Sequence, residues 1–89
     1  MIKVILKNSK GEKMTFAEYA TAYEAFSMLC TLALVLDGRD GVKIEADPSL
    51  SVTHTGAIKP LQNPSEKNAM LRLSNCITSH WCEFFIIAE

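Results

Sequence analysis

No stretch of this chain is apolar for long enough to cross a bilayer. The longest, residues 25–36 (AFSMLCTLALVL), falls well short of the roughly 20 residues a spanning helix needs, and Glu24 stands at its start. No membrane partner is expected. Proline and glycine are scarce, at three and four residues, as in a globular composition, and no low-complexity segment appears. Neither sign of charge dominates: nine Lys and Arg stand against ten Asp and Glu, for a net charge of −1. Proteins that hold a phosphate backbone by charge show a clear basic excess, so nucleic acid is not an expected partner. Disorder is excluded as well, because 48% of the residues are hydrophobic and 21% charged, the reverse of a chain that cannot build a core.

Cysteine occurs in an odd number, as Cys30, Cys76 and Cys82, so the three cannot all pair within one chain. Small secreted domains carry denser, even sets. Lys3 interrupts the apolar part of residues 1–10, and no small-residue cleavage site follows, so no signal peptide is expected. The triplet Asn63-Pro64-Ser65 is disqualified as a glycosylation acceptor by its proline. Together these features point to a reducing, cytoplasmic setting. The chain also lacks G-x-G-x-x-G, G-x-x-x-x-G-K and H-E-x-x-H, the arrangements that cradle phosphates or hold catalytic zinc, and no cofactor is expected.

What is present is the material for one domain spanning residues 1–89. Residues 2–7 alternate, with Ile2, Val4 and Leu6 opposite Lys3 and Lys7, as a half-buried strand does. Ile5 breaks the pattern. Asn8-Ser9-Lys10-Gly11 supplies turn chemistry, and the chain returns as a second strand through about Tyr19. Two capping boxes compete to start the helix, Thr15 with Glu18 and Thr21 with Glu24. The second leaves room for the strand to pair fully, and predicts a helix to Leu36 ended by Asp37-Gly38.

Residues 42–47 (VKIEAD) alternate cleanly and Pro48 closes them; residues 50–55 (LSVTHT) read as a weaker strand and 56–64 as a loop. Ser65 would cap a second helix over 66–79, with Ala69, Met70, Leu73, Cys76 and Ile77 on one face. Leu71 does not fit that face, and a strand over 69–74 is the alternative. Residues 81–88 (WCEFFIIA) are apolar on both sides, as a strand covered on two faces is. The expected fold is α+β: a small mixed or antiparallel sheet of four to five strands, with one long helix and a second packed on one face, in the order β-β-α-β-β-α-β.

The sharpest chemical constellation is Cys76-x3-His80-x-Cys82, with His54 as a fourth ligand for zinc. It lacks the tight C-x2-C pair, and buried cysteine is common without any chemistry. A Cys–His nucleophile is disfavoured because Cys30 sits in the most apolar helix and Cys82 adjoins Glu83, neither of which favours a thiolate. Gly38-Arg39-Asp40-Gly41 has the shape of the backbone clamp of KH modules, but it joins a helix to a strand and Asp40 repels phosphate, so it reads as a turn. Lys3, Lys7, Lys10 and Lys13 make the first hairpin basic, a weak alternative site for nucleic acid. Lysines on an outer hairpin face ordinarily serve solubility and guard a sheet edge. No carboxylate pair is placed for acid–base work, and the chain is not expected to be an enzyme.

The helix over 22–36 is more apolar than one sheet face requires. Its polar side chains, Glu24, Ser27 and Thr31, fall in one narrow stripe, whereas a helix on a monomer's surface shows a wider polar face. Tyr23 and Leu34 lie on one border of the stripe, Met28 and Val35 on the other. A second helix would cover one border; a protein partner or a second copy of the chain would cover it otherwise. The other candidate surface is the far face of the sheet, with Ile5, Trp81, Phe85 and Ile87. Burying about 200 Å² of such surface is worth about 5 kcal/mol in transfer terms, before association costs. The expected function is therefore a non-enzymatic protein–protein interaction module that occludes or bridges a partner, with a homodimer as one form. Accessory or inhibitor proteins of phage and mobile-element type have this profile, an analogy from size and missing motifs.

Overall fold

Alternation and turn chemistry build the first hairpin. The structure, a computed structural model, describes residues 1–53 and 56–89. Ile2–Asn8 (β1) and Lys13–Tyr19 (β2) run antiparallel. Asn8 shapes the turn between them, its side-chain oxygen accepting from the N–H groups of Lys10 at 2.9 Å and Glu12 at 3.0 Å. One extra residue sits in β2: Val4 pairs with Ala17 and Ile5 with Thr15, leaving Phe16 as a β-bulge. The bulge aims Phe16 at Phe84, and the two rings meet edge to face with centroids 5.1 Å apart.

Of the two capping boxes, the later one is used. Ala22–Leu36 (α1) begins at Thr21, whose hydroxyl accepts from the Glu24 N–H at 3.3 Å while the Glu24 carboxylate accepts from the Thr21 N–H at 3.2 Å. Thr15 and Glu18 lie inside β2 instead. Gly38 follows the helix with φ of +83°, the left-handed conformation that a glycine adopts cheaply. Val42–Ala46 (β3) buries Ile44 and Ala46 as its alternation predicts. Asp47 then caps a short 3₁₀ turn over Pro48–Leu50, accepting from the Ser49 N–H at 2.9 Å.

The remaining elements are Lys59–Pro60 (β4), Ala69–Asn75 (β5) and Trp81–Ala88 (β6). Among the described residues there is one mixed sheet of six strands, ordered β2-β1-β6-β5-β3-β4, with α1 its one α-helix. Among the described residues only the β3–β4 pair is parallel. The expectation of four to five strands and a second helix is corrected. Residues 66–79 form no helix; they hold β5 and a turn in which the Asn75 side chain accepts from the N–H groups of Ile77 and Thr78. The reason is tertiary. β5 pairs with β3 on one side and β6 on the other, and a helix there would leave both ladders without partners. Leu71, the residue off the helical face, is fully buried on the strand's inner side.

The strand expected over 50–55 does not form in residues 50–53, and residues 54 and 55 lie outside the described residues. Leu50 and Val52 are nevertheless buried, packed with Ile58 into the main core. The 56–64 loop supplies the short strand β4. The core itself lies between α1 and one sheet face, with Ala25, Leu29 and Ala33 of the helix against Val4, Ile44, Leu71 and Phe84. Alanines at both flanking positions let the helix approach the sheet closely around Leu29. No helix among the described residues is long and apolar enough to cross a membrane.

Asp37 ties the end of α1 to the later loop by accepting from the Ala57 N–H at 3.1 Å. A Cβ on Gly56, where φ is +54°, would overlap the Asp37 carboxylate, whereas one on Gly38 would meet nothing within 4 Å. Both substitutions to Ala carry the left-handed penalty of about 1–2 kcal/mol. Gly56→Ala should cost about 1 kcal/mol more than Gly38→Ala, because Asp37 must also surrender its hydrogen bond; paired urea denaturation curves check this.

Candidate functional site

The two faces of the sheet meet different requirements, and this decides which surfaces are free. Alternation puts Phe84 under α1 and turns Trp81, Glu83, Phe85 and Ile87 to the far face. There Ile5 stands opposite Phe85, Lys7 opposite Glu83 and Lys3 opposite Ile87. Glu83 has no exposed surface at all. A buried carboxylate must be paired and hydrogen-bonded, and three elements converge to do so.

Arg72 of β5 stands between Glu83 of β6 and Glu45 of β3 in the strand registers. Its Nε donates to Glu83 at 2.9 Å, its Nη2 lies 2.8 Å from the same carboxylate, and its Nη1 donates to Glu45 at 3.3 Å. The guanidinium also donates to the carbonyls of Gln62 at 3.2 Å and Asn63 at 2.8 Å. Ser65 completes the set: its N–H donates to both Glu83 oxygens at 3.1 Å and its hydroxyl donates to one of them. Burial pushes the Glu83 carboxyl up, but the hydrogen bonds from Ser65 and Arg72 outweigh it and hold the group below the ordinary glutamate value.

The consequence is a strap. Residues 62–66 are drawn across the far face of the sheet, and Glu66 at the end of it pairs with Lys13 of β2. Lys13 in turn lies 5.4 Å from the centre of the Phe85 ring, and Arg72 lies 5.9 Å from that of Trp81, both within cation–π range. Phe85 is therefore buried, while Ile5, Trp81 and Ile87 are half-buried. Ile5, Phe85 and Ile87 line a shallow depression together with Lys13, Met14 and Thr15. The far face is thus broken up by charge, with its aromatics under cations.

The helix differs. Tyr23 is 79% exposed, Val35 57% and Leu34 47%, while Met28 is half-buried against the core. The Cys30 thiol donates to the Leu50 carbonyl at 3.0 Å, so the turn after β3 lies against the Cys30 side of α1. Met28 and Val35, on the other border, line an open apolar depression with Ser27, Thr31 and Leu32.

The proposed zinc ligands are not assembled. Cys76 and His80 are exposed in the turn between β5 and β6, and Cys82 is half-buried in β6. No group of three or more His, Cys, Asp or Glu side chains among the described residues is placed to hold a metal ion. His54 lies outside the described residues. Burial pushes the thiols of Cys30 and Cys82 up, away from the reactive thiolate. The residues missed in the sequence are Glu83, Arg72 and Ser65. The readable signal was a lone carboxylate inside an apolar strand, which demands a cation from elsewhere.

Replacing Arg72 by Met should cost about 3–5 kcal/mol, the penalty for stranding a buried charge. The Arg72→Met/Glu83→Met double variant should lose less than the two single losses combined, as a double-mutant cycle by urea denaturation would record. Because the folded value of Glu83 is depressed, its stabilisation is present above the unfolded value of about 4.3 and is lost as pH falls through the folded one. Acid titration of stability should therefore fall more steeply in wild type than in Glu83→Gln. Compared with protein-family models, curated proteins and solved structures, the chain matches none.

Proposed function

We propose that this chain is a non-enzymatic interaction module that binds a protein partner through the outer side of α1 and works by occluding or bridging that partner. The observation that carries this reading is the exposure of Tyr23, Leu34 and Val35 on the one helix α1. Three large apolar side chains kept in water on a single element cost solubility unless a contact surface uses them. Tyrosine at such a rim suits recognition, offering a large apolar body and a polar tip.

The narrow polar stripe supports the same reading. Glu24, Ser27 and Thr31 separate the two apolar borders, so a partner would meet a mixed surface with a central hydrogen-bonding strip. The second helix that would have covered one border is a strand, so residues 66–79 leave the outer side of α1 uncovered. A reducing, cytoplasmic setting goes with this reading, since Cys30, Cys76 and Cys82 are unpaired and Cys76 is exposed.

Val35→Glu and Tyr23→Glu alter exposed positions, so both variants should keep the wild-type melting temperature within a few degrees. Each should abolish retention of a stoichiometric partner when tagged protein is recovered from cells in which it is native. Loss of stability in both variants, or unchanged retention, would count against this surface.

A further inference from the structure

The two edges of the sheet are treated differently. β4 closes one edge with two residues, Lys59 and Pro60, a short strand with a proline that cannot donate, which is how natural sheets blunt an edge. β2 forms the other edge with seven residues, and its Lys13, Met14, Thr15, Phe16 and Glu18 are exposed. Met14 is 62% and Phe16 47% exposed. A strand of this length presents a row of unpaired backbone groups.

The geometry points to a second copy of this chain as the occupant: two β2 strands pair antiparallel, joining the two sheets edge to edge about a two-fold axis. The bulge sets the register. In a regular strand, two residues an odd number of positions apart face opposite sides, so they cannot stand opposite one another across a two-fold axis. The extra residue at Phe16 reverses the alternation. Lys13 and Glu18 both face the strap side, opposite Lys7 and Lys3, while Met14 and Ala17 both face the helix side, opposite Leu6 and Val4. Only with the bulge do Lys13 and the second copy's Glu18 share a face, and Met14 with the second copy's Ala17.

That register is electrostatically complementary. Within one copy Lys13 already holds Glu66, and Lys3 lies 3.9 Å from Glu18 and 2.9 Å from Glu89. Pairing joins these into alternating runs, Glu66–Lys13 of one copy continuing through Glu18, Lys3 and Glu89 of the other, twice over by symmetry. Opposite charges directly across a strand pair stabilise it and like charges oppose it. On the helix side Met14 and Phe16 lose their exposure beside the axis. This surface is separate from the outer side of α1, so the dimer stands or falls independently of the partner reading.

Sedimentation velocity over a broad range of protein concentrations tests the pairing, with amide exchange of residues 13–18 followed over the same range. Wild type should show a monomer–dimer equilibrium, and β2 amides should gain protection as concentration rises. Glu18→Lys, at an exposed position, should weaken association roughly tenfold, through two like-charge contacts per dimer. Lys13→Glu should do the same, and an equimolar mixture of the two variants should recover a heterodimer. A wild type that stays monomeric, with β2 exchange independent of concentration, overturns the proposal. A dimer unaffected by Glu18→Lys, or folded variants that fail to recover on mixing, overturns the register. If Lys13→Glu does not fold, the Glu18→Lys result and the β2 exchange decide alone. Protection of β2 only on adding a foreign peptide strand would also overturn the second copy as its occupant.

Discussion

The carboxylate of Glu83 is buried in a central strand, and the organisation of the far sheet face follows from the need to satisfy it. Arg72 reaches it from the neighbouring strand, Ser65 from above, and Glu45 balances the guanidinium from the other side. Each donor of Arg72 that does not meet a carboxylate meets the carbonyl of Gln62 or Asn63. The ion pair and the path of the chain over the sheet are therefore one arrangement. No buried polar side-chain atom among the described residues is left without a partner, the condition under which a buried network rigidifies a fold rather than weakening it.

A single helix can cover only one side of a sheet of this width. Polar chain, residues 62–66, crosses part of the other side, held there by charge that the sheet itself supplies. The two layers thus rest on different physics. Under α1 the contacts are apolar and close-packed, with Leu29 between Ala25 and Ala33. Under the strap they are directional, made by a few charge-assisted hydrogen bonds that work only at short range. Cations over Phe85 and Trp81 join the two regimes, turning aromatic surface into support for lysine and arginine.

Among the described residues this division leaves large apolar side chains exposed on the outer side of α1 and along the β2 edge, besides Met1 and Ile77. The far face, which sequence alone marks as equally apolar through Ile5, Trp81, Phe85 and Ile87, is partitioned by Arg72, Lys13 and Glu66. Chemistry that depends on bringing Cys76, His80 and Cys82 together is not prepared by the fold. Cys82 turns inward in β6, while the Asn75 turn holds Cys76 and His80 at the surface.

Local chemistry was enough to determine several elements: the Asn8 turn, the Thr21–Glu24 box that starts α1 at Ala22, the alternation of β3, and a final strand apolar on both sides. Each depends on residues within a few positions of one another, so the amino-acid order contains the whole interaction. The identity of residues 66–79 was not decided there. Ala69, Met70 and Leu73 satisfy a helical period while Leu71 and Leu73 alternate as in a strand, and only the ladders offered by β3 and β6 choose between them. The apolar surface of the long helix was likewise visible on its wheel, and what covers it was not. Tertiary structure turned its expected second helix into a sheet strand and drew the chain before that strand across the far face to Glu83. Those outcomes depend on partners 18 residues away for Ser65 and 27 for Glu45, and separations of that length leave no trace in local periodicity.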